Sequence, residues 1–247
     1  MTVQTVVSRD EWLAARLDLL AKEKELTRQR DELACQRRHL PWVQIEKPYV
    51  FDGSNGALSL AEMFDGRSQL AVYHFMFGPE WEQGCPSCSM AADGFDAVIP
   101  HLNQRDITFT AVSRAPMPKL AAFQQRMGWR FPWVSSYANS FNRDFQVSFT
   151  AEELAAGNSI YNYVPSRFPS DEAPGVSIFF KDPLGNIFHT YSTFARGLEP
   201  LLGEYFFLDI VPKGRDEQGL PWPMAWVRHH DRYEGALAHA GCCGEHP

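Results

Sequence analysis

The run Gln69–Phe77 (QLAVYHFMF) constrains the fold more than any other feature of the chain. It is almost continuously apolar, which is the pattern of a strand buried on both faces. A loop, Gly78 to Gly84, follows and delivers Cys85 to the start of a helix predicted to reach about Leu102. Asp106–Ser113 (DITFTAVS) reads as a second buried strand. A strand–helix–strand crossover of this length is right-handed and sets its two strands parallel. Further on, Val176–Lys181 and Asn186–Ser192 flank Asp182-Pro183-Leu184-Gly185, a strong hairpin signal. The order predicts an α/β chain with a mixed sheet and helices on both faces.

The remaining elements fall around that nucleus. Ser8 to Leu40 reads as one long helix, with Ser8 and Glu11 placed as a capping box and Pro41 as its stop. Trp12, Leu19, Leu26, Leu33 and Leu40 recur every seven residues, while the complementary Arg16, Glu23, Arg30 and Arg37 are charged. A coiled coil needs both positions apolar. The single stripe predicts a helix laid on its own domain or on a twofold mate, which leaves open a homodimer through this helix. Shorter expectations are a strand at Val50–Phe51, helices at Ser59–Phe64 and Met117–Met127, a strand at Trp133–Ser135 and a helical turn around Asn139–Phe145. Gly157, Pro165, Pro169 and Pro174 break an insertion at about 148–174, and a last helix is expected near Leu198–Phe207. The division is an N-terminal helical arm (1–44), an α/β domain (45–212) and a C-terminal extension (213–247), frayed after Gly241.

Net charge is −7, which argues against nucleic acid, whose binding is driven by Lys and Arg neutralising phosphates. No stretch approaches the roughly 20 apolar residues of a membrane span. The first residues lack an apolar signal region, so the expected compartment is the cytoplasm, where thiols stay reduced. Five cysteines, an odd number, speak against a disulfide scaffold.

Gly84-Cys85-Pro86-Ser87-Cys88 is the motif that carries chemistry. A helix start presents unpaired backbone N–H groups, which stabilise a thiolate on the first cysteine. The second lies one turn later on the same face. Cys85 is placed to attack a disulfide and Cys88 to resolve the mixed disulfide. Pro86 suits the first turn, where its missing N–H costs nothing. Half of a structural zinc site is the competing reading. Zinc needs four ligands, and a second Cys-x-x-Cys or His pair is absent at suitable spacing. Neither a metal nor an organic cofactor is called for.

Trp81–Ser89 (WEQGCPSCS), Val176–Arg196 (VSIFFKDPLGNIFHTYSTFAR) and Tyr205–Glu217 (YFFLDIVPKGRDE) carry a resemblance to thioredoxin-like proteins. More narrowly, the chain resembles the bacterial DUF899 family, described as predicted dithiol–disulfide oxidoreductases, from Glu11 to about Tyr233. The resemblance implies a thioredoxin-like mixed sheet flanked by helices, with Cys85 and Cys88 as the redox pair. It also implies a substrate-strand loop before the hairpin, which falls on Pro174 and Gly175 and leaves open a cis Ala173–Pro174 bond. His74 stands where thioredoxins carry a buried acid that takes the resolving thiol's proton, and it is the candidate for that role. An equally ordinary reading makes it a core histidine.

His189 alternates with Ile187 and Tyr191 and reads as structural, and His229-His230-Asp231 reads as solvated surface. Cys242–Cys243 could form a second exchange site, against the plainer reading of exposed thiols on a terminus. Cys35 has no visible partner. Three functions compete. The first is a thiol–disulfide oxidoreductase acting on a protein or small-molecule disulfide with an unknown electron donor. The second is a thiol peroxidase, although Glu80 to Gly84 lack the Pro-x-x-x-Thr-x-x-Cys pattern. The third is a non-catalytic binding or scaffold protein.

Overall fold

Ser8 opens the first helix as the sequence predicts, its side chain accepting the Glu11 N–H while Glu11 accepts the Ser8 N–H. The computed structural model describes residues 4–234. Cys242, Cys243 and the expected fraying after Gly241 lie outside them. The helix, α1 (Arg9–Arg38), buries none of its residues. Trp12, Leu19, Leu26 and Leu33 of the seven-residue stripe are each about half exposed. An Arg16–Glu23 ion pair of 2.7 Å spans two turns beside that stripe. The chain divides into this unit, ending at Pro41, and a second that begins at Trp42. No helix among the described residues is long and apolar enough to cross a membrane.

The second unit is built on strands β1 (Val43–Gln44), β2 (Val50–Gly53), β3 (Gly56–Ser59) and β4 (Gln69–His74). Helices α2 (Pro86–Ala92) and α3 (Phe95–Asn103) lead to β5 (Ile107–Ser113), and α4 (Met117–Met127) leads to β6 (Trp133–Ser135). Next come α5 (Phe141–Asp144), α6 (Ala151–Ala156) and a separate hairpin of β7 (Ser159–Tyr161) and β8 (Val164–Ser166). The chain returns to the sheet in β9 (Gly175–Lys181) and β10 (Ile187–Phe194), then forms α7 (Gly203–Ile210). The eight-stranded sheet runs β1-β10-β9-β4-β5-β6-β2-β3. β4, β5 and β6 are parallel, and β9 and β10 antiparallel, so the sheet is mixed and the architecture thioredoxin-like.

Both parallel crossovers step in the same direction, and right-handedness puts α2, α3 and α4 on one face. Tyr73 and Phe75 point there and join Phe95, Phe123, Phe131 and Trp133 in one core. Val72, Phe141 and Phe179 fill the opposite face with Met63 and Phe64. That second face is covered by α5 and a short 3-10 turn, Glu62–Phe64, in place of the helix expected from Ser59. Ser59 ends β3 and accepts the Glu62 N–H, so a capping pair closes one tight turn and goes no further. The helix expected from Cys85 to Leu102 is two helices broken at Asp93–Gly94, where the Asp93 carboxylate accepts from Trp129 and bonds His230. The helix expected at Leu198–Phe207 is likewise a 3-10 segment, Ala195–Leu201, followed by α7. In the hairpin, Asp182 Oδ1 accepts the N–H groups of Leu184 and Asn186, which fixes the turn between β9 and β10.

Candidate active site

Cys85 caps α2 and sits at the carboxyl end of β4, where open α/β sheets place their sites. Its backbone N–H donates to Met76 O at 3.0 Å, and its carbonyl accepts from the N–H and hydroxyl of Ser89. Gly84 is required before it by space. A Cβ there would lie 2.6 Å from Phe75 and 2.9 Å from Phe123, both in the core. Gly84→Ala is expected to cost about 1–3 kcal/mol, seen as a lower thermal midpoint, because overpacked cores pay in strain. An unchanged midpoint would show that the two rings yield freely.

Cys85 is partly exposed and Cys88 buried, and both are free thiols. The Cys88 S–H brings the Cys85 thiol below its ordinary value, helped by the N–H groups of Cys88 and Ser87 and opposed by burial. Burial instead drives the Cys88 thiol well up, and the adjacent Cys85 sulfur adds to it. The Tyr73 hydroxyl and the Met76 N–H bond the Cys88 sulfur and work in the other direction. Tyr161, from the β7–β8 hairpin, interacts with Cys88 and Tyr73 as well. The two sulfurs are therefore tuned oppositely, the outer one toward thiolate and the inner one toward thiol.

His74 is not the proton acceptor for this pair. Alternation along β4 turns it to the face opposite Tyr73, where it stacks on Phe141 and Phe145 and bonds Ser177 Oγ at 2.8 Å. Burial pushes it down to about 3, so it stays neutral. Ser177 continues through Ser192 to His189, which makes His189 structural as expected. The residue on the dithiol face is Tyr73, one position earlier. An unbroken apolar run hides which face a residue takes, and counting in steps of two from the other dithiol-facing core residue of the strand, Phe75, would have found it.

Pro174 and Gly175 do not form an open loop. Gly175 lies inside β9, paired with His74 on one side and Phe194 on the other. The Pro174 carbonyl accepts from the Tyr161 hydroxyl at 2.9 Å, and no peptide among the described residues is cis. Just upstream, Ala173 N–H donates to Val147 O, and Phe149 N–H to Asp171 O. The insertion thus occupies the backbone edge that a substrate strand was expected to use.

The loop before Cys85 is fastened at several points. Lys119 Nζ donates to the carbonyls of Pro79 and Trp81, and Trp81 Nε1 donates to Asp171 Oδ1 at 3.1 Å. Asp171 and the fully buried Glu172 share Arg114, which directly follows β5, and Ser148 Oγ donates to the other Glu172 oxygen at 2.9 Å. Burial raises the Glu172 carboxyl to about 7 against the pull of Arg114. His229, expected on the solvated surface, is only 4% exposed, and its Nε2 lies 2.9 Å from Gly84 O. Arg126 donates to both Asp231 oxygens, to Gln83 Oε1 and to His229 Nδ1, which leaves the proton on Nε2. The C-terminal extension is therefore part of the dithiol's surroundings. No run or spacing in the sequence announced these long-range pairs. Among the described residues, no group of three or more His, Cys, Asp or Glu is arranged to hold a metal ion.

No curated protein matches the chain. Solved structures with a similar trace include peroxidoxin BcpB from Mycobacterium tuberculosis, at 10% identity and a TM-score of 0.45, covering 66% of this chain and 94% of that one. A cysteine-to-serine mutant of Xanthomonas campestris peroxiredoxin Q aligns at 16% identity and 0.43, covering 68% and 96%. A mutant of the peroxiredoxin 6 of Arenicola marina aligns at 12% and 0.43, covering 68% and 74%. The family model described as "Bacterial protein of unknown function (DUF899)" matches residues 1–233, nearly the whole sequence. The chain belongs to the DUF899 family.

Proposed function

We propose that this protein is a thiol–disulfide oxidoreductase in which Cys85 is the nucleophile and Cys88 the resolving thiol. The observation that supports it is the opposite tuning of two neighbouring sulfurs, one lowered by donated hydrogen bonds and partly exposed, the other raised by burial. The Cys85 thiolate attacks one sulfur of a substrate disulfide, forming a mixed disulfide and expelling the other half as thiolate. Cys88 then loses its proton and attacks Cys85 Sγ, closing the Cys85–Cys88 disulfide and releasing the second thiolate. Two electrons pass from protein to substrate, and an external thiol reductant must return them.

Tyr73 serves the second step. Its hydroxyl donates to the sulfur of Cys88 and favours the thiolate that resolution needs. Tyr73→Phe is expected to leave the first attack intact and slow resolution roughly tenfold, about the 1.4 kcal/mol of one hydrogen bond to a charged group. Mass spectrometry of quenched reactions reads this as transient mixed disulfide on Cys85. No accumulation sinks the assignment.

The test of the function itself is oxidation of the reduced full chain by hydroxyethyl disulfide, with hydrogen peroxide as the competing oxidant. The expected product has lost two hydrogens and carries one Cys85–Cys88 disulfide, formed faster with the disulfide than with peroxide. Faster oxidation by peroxide would replace this reading with a thiol peroxidase. Rates with both oxidants no greater than those of free cysteine would leave a binding or scaffold protein.

A further inference from the structure

Beside Cys85 the surface opens into a cleft of about 470 Å3, within the size range of small-molecule sites. One wall is the loop 81–84 with Pro86, so both chain neighbours of Cys85 line it. The other wall is the C-terminal extension, through Arg228, His229 and Arg232. Arg228 Nη1 is satisfied by two neutral carbonyls, of Ala225 and Val227, which leave its charge uncompensated. Both arginines are exposed. His229 is the fixed floor, tied to the Gly84 carbonyl. Glu82 is the one carboxylate among the lining residues, against two guanidinium groups, on a chain whose net charge is −7. Asp231, next to this wall, is already matched by Arg126.

We propose that this cleft binds the carboxylates of a small anionic disulfide and so presents its sulfur to Cys85. The proposal rests on the oxidoreductase reading and names the substrate class for it. Guanidinium groups recognise carboxylates in a fork geometry that a lysine would not supply. Like-signed charge in a cleft also raises the local concentration of an oppositely charged reactant. The volume suits a molecule of tripeptide size, and the floor is held by backbone and ring contacts that need not move to admit it.

The experiment measures oxidation of the reduced full chain by oxidised glutathione, hydroxyethyl disulfide and cystamine, which are anionic, neutral and cationic. Each rate is divided by that of the same disulfide with dithiothreitol, which removes intrinsic reactivity. The expected order is anionic, then neutral, then cationic, with at least about tenfold between the ends. In Arg228→Gln/Arg232→Gln the normalised preference for oxidised glutathione falls roughly tenfold, and added salt compresses it in the parent protein. Glu82→Gln moves it the opposite way, which separates charge from any loss of fold. Equal normalised rates, or a preference untouched by these variants, overturn the anionic assignment while leaving the oxidoreductase in place. An acidic polypeptide disulfide reacting far faster than oxidised glutathione overturns the small-molecule class. If no disulfide outruns the dithiothreitol reference, the oxidoreductase reading fails first.

Discussion

Cys85→Ser is expected to abolish disulfide exchange, and in the parent protein alkylation of Cys85 is expected to follow a titration with its midpoint near 7 rather than about 8.5. The Cys85 thiol is lowered to about 7, first by the Cys88 thiol and then by the N–H groups of Cys88 and Ser87, against the effect of burial. At pH 7 a thiol with a pKa of about 8.5 is about 3% thiolate, and one with a pKa of about 7 is about half, a gain of roughly 16-fold. Intrinsic nucleophilicity falls with pKa, and a Brønsted slope of about 0.45 over 1.5 units takes back roughly fivefold. The net advantage is only about threefold at pH 7, rising toward sixfold at pH 6. An absolute rate is therefore a weak discriminator, and the shape of the pH profile is the strong one. Iodoacetamide trapping with peptide mapping gives that profile, and Cys88→Ala isolates the site from its partner. In that variant the Cys88 donor is gone, so the midpoint moves up. A wild-type profile that keeps rising past pH 8, with no inflection near 7, would falsify the thiolate assignment.

Much of the architecture was legible because its signals are local. Met117–Met127 and Trp133–Ser135 carry the bounds predicted for them, since a proline-led first turn and a short aromatic strand are set by adjacent residues. The dithiol was legible for the same reason: Cys85-Pro86-Ser87-Cys88 is one turn of one helix. The errors share a different cause. β4 is buried on both faces, which erases the alternation that separates Tyr73 from His74, so the sequence does not show that His74 faces away from the dithiol. The break at Asp93–Gly94 is held by Trp129 and His230, distant in sequence, and helical periodicity cannot register it. His229 looked like surface because its segment has no periodic pattern, yet its ring is seated on the Gly84 carbonyl 145 positions away. Local rules find elements and motifs. Which side chain faces which, and what seals a site, is decided by pairs that only the folded chain brings together.

Such a pair sets the largest stability effect expected outside the dithiol. Glu172 is fully buried, and its carboxyl is raised from 4.5 to about 7 by that burial, with Arg114 pulling the other way. A folded-state pKa above the unfolded one means the native protein holds the proton more tightly. Its contribution is complete below about pH 4.5 and is lost as pH rises toward 7. At 1.36 kcal/mol per unit, the loss is on the order of 3 kcal/mol across that window. Arg114→Ala removes the one cation that makes the ionised form tolerable. At pH 5 Glu172 is protonated, so what is lost is a contact to a neutral carboxyl and the partly exposed pair with Asp171, together costing about 1–2 kcal/mol. At pH 8.5 a buried carboxylate is left unpaired, costing about 3–5 kcal/mol, or roughly 6–20 °C in thermal midpoint for a chain of this size. Arg114→Ala/Glu172→Gln is expected to recover most of the high-pH loss, because the charge is gone. Glu172→Gln alone should flatten the decline between pH 4.5 and 7. Thermal unfolding of the four proteins across pH 5 to 8.5 decides it, and a loss in Arg114→Ala that is the same at both ends rules the mechanism out. The consequence reaches the dithiol, since Arg114 also holds Asp171, and Asp171 anchors Trp81 in the loop that delivers Cys85.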